Sequence, residues 1–249
     1  MKVLASQDED ARSVSTLPNL YNCATCVTIT STMRKPCLLL ASQSPRRREL
    51  LALLGLPFEV TVANVIEIPQ AGEPPLATVA RLSRAKTRVA PIHSDAIVIA
   101  CDTVVALDGE LLGKPRDATE ATAMLRRLRA RPHTVYSGVT LLETATGRAL
   151  TEVAETRVAM RAYSDAEIAT YVASGDPLDK AGAYAIQHPG FHPVAELQGC
   201  YANVMGLPLC HLTRCLHAYG IEPPADVPAA CQIHNTHHCT VYATILNDR

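Results

Sequence analysis

The sequence contains no tryptophan and only two phenylalanines. Proteins that bind single-stranded nucleic acid stack the bases on aromatic side chains, so this scarcity argues against such a surface. The formal net charge is only -1, from 23 basic and 24 acidic residues, and it provides no overall positive field to attract nucleic acid or an anionic membrane. We therefore expect no nucleic acid and no membrane among the partners. An anionic ligand would have to be bound by a local cluster of positive side chains.

Long apolar segments are also missing. No apolar run approaches the roughly 18 to 20 residues that are needed to cross a bilayer. The stretch MKVLASQDEDARS becomes acidic where a signal peptide would carry its apolar core. These two features predict a cytoplasmic protein. The nine cysteines are an odd number in mainly apolar surroundings, such as Cys101 in IVIACD, which favours reduced thiols over a disulfide framework.

The chain is long enough, at 249 residues, to bury a substantial core. Residues 1–35 show no clear periodicity and predict a loosely ordered N-terminal extension. Residues 36–220 carry the patterned segments and predict the folded domain, and residues 221–249, which contain the linker-like EPPADVP, predict a C-terminal extension. Cys/His groups at 23–26 and 231–239 invite a zinc interpretation, but neither supplies a regular four-ligand spacing by itself.

Within residues 36–220, apolar strand patterns are interleaved with helical patterns. The predicted strands are PCLLLAS, FEVTV, IVIACDTVVAL with a hairpin turn at Asp108-Gly109, TVYSGVTLLE, RALTEVAETRVAM and a short apolar strand that ends at Gln187. The predicted helices begin near residues 45, 75, 117 and 164, the last two with capping-box patterns. This order predicts an α/β fold with a mixed sheet.

Three consecutive arginines lie at residues 46–48 in the stretch ASQSPRRRELL. Ser44 and Pro45 are typical of an N-cap and a first helical residue, so the arginines fall in the first turn of a helix. The helix dipole attracts anions to that turn and disfavours cations in it. A bound polyphosphate would resolve this conflict, whereas the alternative is a solvated arginine run with Glu49 as its partner.

Two acidic residues are candidates for chemistry. Asp102 follows an apolar run and would place a carboxylate at the end of a buried strand, where an unpaired charge is costly and where binding sites collect in α/β folds. Glu67 lies between two isoleucines and could join Asp102 around a hard divalent cation such as Mg²⁺. The alternatives are that Asp102 caps a turn with Thr103 and that Glu67 is simply solvated.

Further polar candidates lie in separate motifs. Lys114 in GELLGKP does not belong to a phosphate-binding loop, because the glycine spacing is too short and Pro115 replaces the hydroxyl residue. Lys86 and Lys180 are further cations, each of which alone would usually be a surface residue. Gln187 ends the glycine- and alanine-rich segment GDPLDKAGAYAIQ and could present its amide to a nucleobase edge, or could be a solvated residue of a tight turn.

Four segments, ASQSPRRRELLALLG, ACDTVVALDGELLGKPRDATEATAML, GDPLDKAGAYAIQ and YANVMGLPL, together resemble the Maf family of nucleoside triphosphate pyrophosphatases in order and spacing. The resemblance covers about residues 36–219. It implies a Maf/ITPase-like α/β fold, in which helices flank a long curved mixed sheet and a cleft separates two lobes, and it implies a homodimer. It also implies metal-dependent hydrolysis of a nucleoside triphosphate to the monophosphate and pyrophosphate.

The same resemblance implies roles for individual residues. Asp102 matches the proton acceptor that activates water, Glu67 matches an acidic metal-associated position, and Lys114 belongs with them to the catalytic set. Asp102 and Glu67 would hold the divalent metal, Mg²⁺ or Mn²⁺. The residues implied to bind substrate are Ser44, Arg46, Arg47, Lys86, Thr103, Lys180 and Gln187.

Within the family, the motifs S-P-R-R, D-T-V-V and D-K-A-G-A-Y resemble the branch that acts on dTTP and UTP. Arg46, Thr103 and Gln187 match positions linked to that choice. The segment NVIE lacks an acid pair often seen there, and His188 replaces a usual glycine. The alternatives are a pyrophosphatase for 7-methyl-GTP or another modified purine nucleotide, and a regulator of cell division that acts by binding.

Overall fold

The computed structural model describes residues 36–90 and 95–247. The predicted N-terminal extension and the cysteine pair at 23–26 lie outside these residues. Seven strands form one sheet: β1 (Cys37–Ala41), β2 (Phe58–Thr61), β3 (Ala96–Leu107), β4 (Glu110–Leu112), β5 (Pro132–Glu143), β6 (Ala149–Met160) and β7 (Val194–Gln198). The sheet order is β2-β1-β3-β5-β6-β7, and β4 pairs with β3 alone.

In the described part of the chain, eight helices accompany the sheet. They are α1 (Pro45–Ala52), α2 (Pro75–Val89), α3 (Ala118–Leu128), α4 (Asp165–Ala173), α5 (Tyr201–Met205), α6 (Leu209–Ala218), α7 (Val227–Asn235) and α8 (Tyr242–Asn247). Two short 3₁₀ turns cover Asp176–Asp179 and Ala181–Ala183. Strands β1, β2 and β3 are parallel and the remaining pairs are antiparallel, so the predicted α/β fold with a mixed, helix-flanked sheet is confirmed.

Strand β3 is the centre of the sheet, and its two edges are paired differently. Strand β5 pairs along one edge from Ile97 to Ala106. The other edge is shared by β1, which pairs with 96–99, and β4, which pairs with 105–107. Among the described strands, none pairs with residues 100–104 on that second edge. The sheet is therefore open beside the middle of β3, and side chains on both of its faces can reach this opening.

The two faces of β3 are covered by different helices, because successive side chains point to opposite sides. Helix α2 packs on one face against β3 and β5. It lies unusually close at Gly138, where a Cβ atom would be only 2.4 Å from the carbonyl oxygen of Val79. On the opposite face, α1, α5 and α6 enclose one apolar cluster around Leu40, Ile99 and Leu216. A second cluster lies further along the sheet under α3 and α4.

The predicted helix starts and the hairpin agree with the structure. Ser44 caps α1 and Ser164 forms a complete capping box with Glu167 at α4. Asp117 caps α3, but the side chain of Glu120 bonds to Arg116 instead of completing a box. The turn at Asp108-Gly109 has positive φ at both residues, 53° and 82°, as a two-residue type I′ hairpin requires.

Two strand predictions were wrong. The segment that ends at Gln187 is a turn, because Gly182 and Ala183 have φ values of 70° and 62°, in the left-handed region that interrupts a strand. Asp102 does not end its strand, since β3 continues for five residues to Leu107. The apolar run could not show the turn, which depends on backbone geometry, whereas the apolar residues that follow Asp102 in IVIACDTVVAL had already indicated that the strand continues.

The segment after residue 220 is folded. Ile221 and Val227 belong to the apolar cluster that contains α6, and α7 and α8 contact that helix. In the part of the chain that the structure describes, no helix is long and apolar enough to span a membrane.

Candidate active site

A cavity of about 950 Å³ lies at the open edge of β3. Its walls include residues of the first apolar cluster, such as Met205, and of the second, such as Val105 and Tyr184. All ten residues that the sequence suggested line this cavity: Ser44, Arg46, Arg47, Glu67, Lys86, Asp102, Thr103, Lys114, Lys180 and Gln187. The fold thus collects side chains that are up to 143 positions apart in the sequence.

Asp102 and Lys86 form a buried ion pair at the base of the cavity. Lys86 Nζ lies 2.6 Å from Asp102 Oδ1, and the two residues are only 6% and 3% exposed. The pair depends on how α2 sits on the sheet, because Asp102 is the register partner of Gly138. A side chain on Gly138 would hold α2, and with it Lys86, further from β3.

Glu67 joins this pair from a loop. Its Oε1 lies 2.6 Å from the same Lys86 Nζ. Partial burial raises the pKa of Glu67, but Lys86, with smaller effects of Lys114 and Arg47, outweighs burial and leaves the pKa below its ordinary value. Glu67 is therefore ionised at neutral pH, and two carboxylates converge on one positive centre.

These carboxylates fit a hard divalent cation. Oxygen donors suit Mg²⁺ and Mn²⁺, and Mg²⁺ is commonly held by one or two carboxylates together with substrate phosphates and water. In residues 36–90 and 95–247, no group of three or more His, Cys, Asp or Glu side chains is arranged to hold a metal. The two carboxylates therefore suit a cation that is shared with a substrate better than a closed structural metal site. The Cys/His residues at 231–239 do not form such a group either.

Arg47 is fixed by hydrogen bonds on one side of its guanidinium. Its Nε donates to the carbonyl oxygen of Gly206 at 2.8 Å, and its Nη2 donates to Thr103 Oγ1 at 3.1 Å. Thr103 Oγ1 is in turn 2.8 Å from Ser137 Oγ. Among the described residues Arg47 Nη1 has no hydrogen-bond partner, so this nitrogen remains available to an anion.

Arg46 and Lys180 share one acidic partner. Arg46 Nη1 lies 3.2 Å from Asp179 Oδ2, and Lys180 Nζ lies 2.6 Å from Asp179 Oδ1. Lys180 Nζ also lies 2.8 Å from Asp176 Oδ1. Partial burial raises the pKa of Asp179, but hydrogen bonding and charge from Lys180 and Arg46 lower it further than burial raises it. Among the described residues, Lys180 thus has two acidic partners, whereas the guanidinium of Arg46 has one.

The remaining predicted residues are less constrained. Lys114 and Gln187 are exposed at the cavity wall and form no hydrogen bond with the part of the chain that the structure describes. Ser44 uses its side chain to cap α1, accepting from Arg47 N at 3.4 Å. The cavity is therefore large enough for a nucleotide. It is surrounded by a buried carboxylate, by ammonium and guanidinium groups, and by the amide of Gln187.

Sequence reasoning assigned no site role to three residues that shape this site. Ser137, Gly138 and Asp179 position Thr103, α2 and Arg46 respectively. A glycine inside a strand pattern often marks a close backbone approach, so Gly138 in TVYSGVTLLE carried a usable signal. The contacts of Ser137 and Asp179 depend on strand register and on a 133-residue separation, which no local pattern reveals.

The sequence comparisons identify the family and several similar relatives. The sequence matches the family described as Maf-like protein over residues 37–219. A dTTP/UTP pyrophosphatase of Myxococcus xanthus is 53% identical over 75% of this chain and 94% of that protein. Proteins of the same name from Salinibacter ruber and Dictyoglomus turgidum are 50% and 45% identical, over 73% and 76% of this chain and 90% and 98% of their own lengths.

Solved structures give a weaker match. A nucleoside-triphosphatase / dITP/XTP pyrophosphatase from Mycobacterium abscessus is 16% identical with a TM-score of 0.37, covering 73% of this chain and 97% of that chain. A similarity at this level supports no inference about the present chain.

Proposed function

The chain belongs to the Maf family, and from that premise we propose that it hydrolyses dTTP and UTP to the nucleoside monophosphate and pyrophosphate. The name of its relatives supports this substrate class. The observation that carries the proposal is the buried carboxylate of Asp102, which lines a nucleotide-sized cavity together with Lys86 and Arg47. Such a constellation suits phosphoryl transfer, in which positioning and charge neutralisation provide most of the catalysis.

In the proposed reaction, a water molecule attacks the α-phosphorus and Asp102 accepts its proton. A new bond forms between the water oxygen and phosphorus, and the bond from the α-phosphorus to the bridging oxygen breaks. Pyrophosphate leaves with that oxygen. Asp102 suits the acceptor role because burial shields its carboxylate from bulk water while Lys86 keeps it oriented at 2.6 Å.

The cationic side chains have a separate role. Arg47 offers its Nη1, to which no described residue is hydrogen-bonded, and Arg46 and Lys114 line the same wall, so we assign them to the phosphate oxygens, with Ser44 and the start of α1 beside them. Lys180 and Lys86 contribute positive charge behind this layer. A divalent cation bound by Asp102 and Glu67, Mg²⁺ or Mn²⁺, would supply Lewis-acid polarisation of phosphate oxygens.

A nucleotide panel tests the proposal. Wild type is incubated with dTTP, UTP, CTP, GTP and 7-methyl-GTP in Mg²⁺ or Mn²⁺, and the products are identified by phosphorus NMR. We expect pyrophosphate with dTTP and UTP, and Asp102→Asn should lower turnover at least about 100-fold. Asp165→Asn, the same change at a surface ion pair, is the control. Orthophosphate as the product would exclude the proposed bond, and a preference for 7-methyl-GTP would exclude the pyrimidine assignment.

Base selection is assigned to Gln187 with Arg46 and Thr103. An amide can pair with the O4 and N3-H groups that uracil and thymine share. Because a polar group of the base that becomes buried in the cavity without a partner costs about 1 to 3 kcal/mol, Gln187→Ala should reduce the preference for UTP over other nucleotides by roughly 10-fold or more. An unchanged ranking of substrates would remove Gln187 from this role.

We also propose a homodimer that acts in the cytoplasm, where nucleoside triphosphates are present. Light scattering after size-exclusion chromatography should give twice the mass of 26.8 kDa. A mass of one chain at working concentration would contradict the dimer.

A further inference from the structure

We propose that Ser137 is a positioning residue that fixes the hydrogen-bond polarity of Thr103 and, through it, the placement of Arg47 in the cavity. Ser137 and Thr103 are register partners on β5 and β3. Their side chains therefore point to the same face, and the two hydroxyl oxygens lie 2.8 Å apart. The inference deepens the proposed function, on which it rests for the role of the cavity.

These hydroxyl groups belong to a series of hydrogen bonds that runs from Arg47 to the Asn203 carbonyl. The groups at its two ends indicate the direction of each hydrogen bond. At one end, Arg47 Nη2 lies 3.1 Å from Thr103 Oγ1, and a guanidinium can only donate. At the other end, Ser137 Oγ lies 3.3 Å from the carbonyl oxygen of Asn203, which can only accept. All three contacts are hydrogen bonds when the proton of Ser137 points to the Asn203 carbonyl and the proton of Thr103 points to Ser137.

The opposite direction would be costly. If Ser137 donated to Thr103, its oxygen would face the Asn203 carbonyl without a proton between them. The Asn203 carbonyl would keep one donor, Gly206 N at 2.9 Å, but the Ser137 oxygen would accept from no described residue, and at 0% exposure water cannot easily supply the missing donor. A buried polar group without a partner costs more than a hydrogen bond contributes, which favours a single order of donors and acceptors.

The series of hydrogen bonds from Arg47 through Thr103 and Ser137 ends at Asn203, whose side chain is held by neighbouring strands. Asn203 Nδ2 donates to the carbonyl oxygen of Val135 at 3.1 Å and to Thr156 Oγ1 at 2.9 Å. These bonds tie α5 to β5 and β6. Gly206, which follows α5, accepts from Arg47 Nε at 2.8 Å. The guanidinium of Arg47 is thus held by two acceptors, Thr103 Oγ1 and the Gly206 carbonyl oxygen, and both are connected to α5.

This arrangement determines what Thr103 can offer a substrate. Its hydroxyl proton is committed to Ser137 and one lone pair is committed to Arg47. Only the remaining acceptor capacity of the hydroxyl is left for a ligand in the cavity, which Thr103 lines. In this arrangement Thr103 can accept a hydrogen bond from a substrate but has no proton left to donate, and Arg47 Nη1 takes no part in the network.

A double-mutant cycle tests the role of Ser137. The variants are Ser137→Ala, Thr103→Val, which replaces the hydroxyl by a methyl group of similar size, and the double variant. We expect each single change to lower kcat/KM about 10-fold, and the double variant to lose no more than about 20-fold, because Ser137 acts through Thr103. Independent effects would multiply to about 100-fold, and that result, or wild-type kcat/KM in Ser137→Ala, would overturn the proposal.

Two controls separate positioning from a general loss of stability. Tyr163→Phe removes another buried hydroxyl, which donates to the Leu125 carbonyl at 2.8 Å outside the cavity wall, and it should leave kcat/KM unchanged. Ser137→Cys retains a donor at this position, although the thiol is a weaker donor and slightly larger than the hydroxyl, and should fall between wild type and Ser137→Ala. Thermal unfolding is measured for every variant, and a loss of kcat/KM that followed Tm in Tyr163→Phe as well would contradict a positioning role.

The nucleotide for this cycle is the one that wild type hydrolyses best in the panel. If that nucleotide is not dTTP or UTP, the proposed substrate fails while the cycle still decides the role of Ser137. If none is hydrolysed, the cycle is run on the dissociation constant of the most tightly bound nucleotide, measured by calorimetry. Failure of the proposed function and failure of this inference are therefore distinguishable.

Discussion

Lys86 Nζ lies 2.6 Å from Asp102 Oδ1 in a place where both residues are almost completely buried. Removing one partner of such a pair leaves an uncompensated charge away from water, which is far more costly than losing an exposed ion pair. The pair therefore couples stability to the proposed chemistry. Glu67, 2.6 Å from the same ammonium, attaches a surface loop to this centre.

Substitution of Lys86 by methionine should destabilise the protein. Asp102 would remain buried without its partner, so we expect the free energy of unfolding to fall by about 3 kcal/mol. Urea denaturation without divalent metal measures this change, and added Mg²⁺ or Mn²⁺ should restore more stability to Lys86→Met than it adds to wild type. Arg84→Met, on the exposed side of the same helix, is the matched control and should change stability by no more than about 0.5 kcal/mol. Equal stability of Lys86→Met and wild type would contradict this account.

Gly138→Ala should reduce activity without touching any proposed substrate contact. Its Cβ would lie 2.4 Å from the Val79 carbonyl oxygen and 2.6 Å from the Val79 carbonyl carbon, so α2 would have to move away from the sheet. We expect Lys86 to shift from Asp102 and kcat to fall at least about 10-fold, since small misplacements of catalytic groups have large effects. In Gly190→Ala the new atom would contact only His188, at 3.6 Å, and this control should retain wild-type kcat. A fully active Gly138→Ala would show that α2 tolerates the shift.

The sequence predicted the parts of this site that depend on local chemistry. Arg46 and Arg47 were placed correctly in a first helical turn because Ser44 and Pro45 are strong N-terminal signals. Gln187 was placed wrongly on a strand, since its apolar neighbours do not show that Gly182 has φ of 70°. The start of a helix can thus be predicted from its capping residue, whereas a turn that depends on backbone conformation cannot be predicted from apolar neighbours.

Contacts between distant elements were beyond local patterns. The pairing of Thr103 with Ser137 follows from the register of β3 with β5, and register is set by the whole sheet. The position of Lys86 beside Asp102 follows from the absence of a side chain at Gly138. A helical pattern identifies the buried face of α2, but not the partner that its one buried lysine will meet.

Asp179→Asn should strengthen nucleotide binding. Asp179 partly neutralises Arg46 and Lys180 at the cavity wall and repels an incoming triphosphate. With a neutral amide in its place, we expect KM to fall about 3-fold at low ionic strength and the effect to fade near 0.5 M salt, because salt screens such charges. Asp165→Asn makes the same change beside Arg126 and Arg129, which do not line the cavity, and should leave KM unchanged. A raised KM would instead show that Asp179 serves mainly to orient Arg46.

His133 should make the protein less stable as the pH falls below neutrality. Burial lowers its pKa from 6.5 to about 4, and its Nε2 lies 2.8 Å from the hydroxyl of Tyr184, which lines the cavity. Between pH 6.5 and 4 the unfolded chain binds a proton that the folded protein does not, so stability declines as the pH decreases through this window. One such proton corresponds to about 1.4 kcal/mol per pH unit at most.

Urea unfolding at pH 7, 6 and 5 measures this effect, and the free energy of unfolding should change less steeply with pH in His133→Gln than in wild type. Some slope will remain, because burial also lowers the pKa of His211 to about 4. His234→Gln, at an exposed position, should keep the wild-type slope, and an unchanged slope in His133→Gln would mean that His133 is protonated equally in both states.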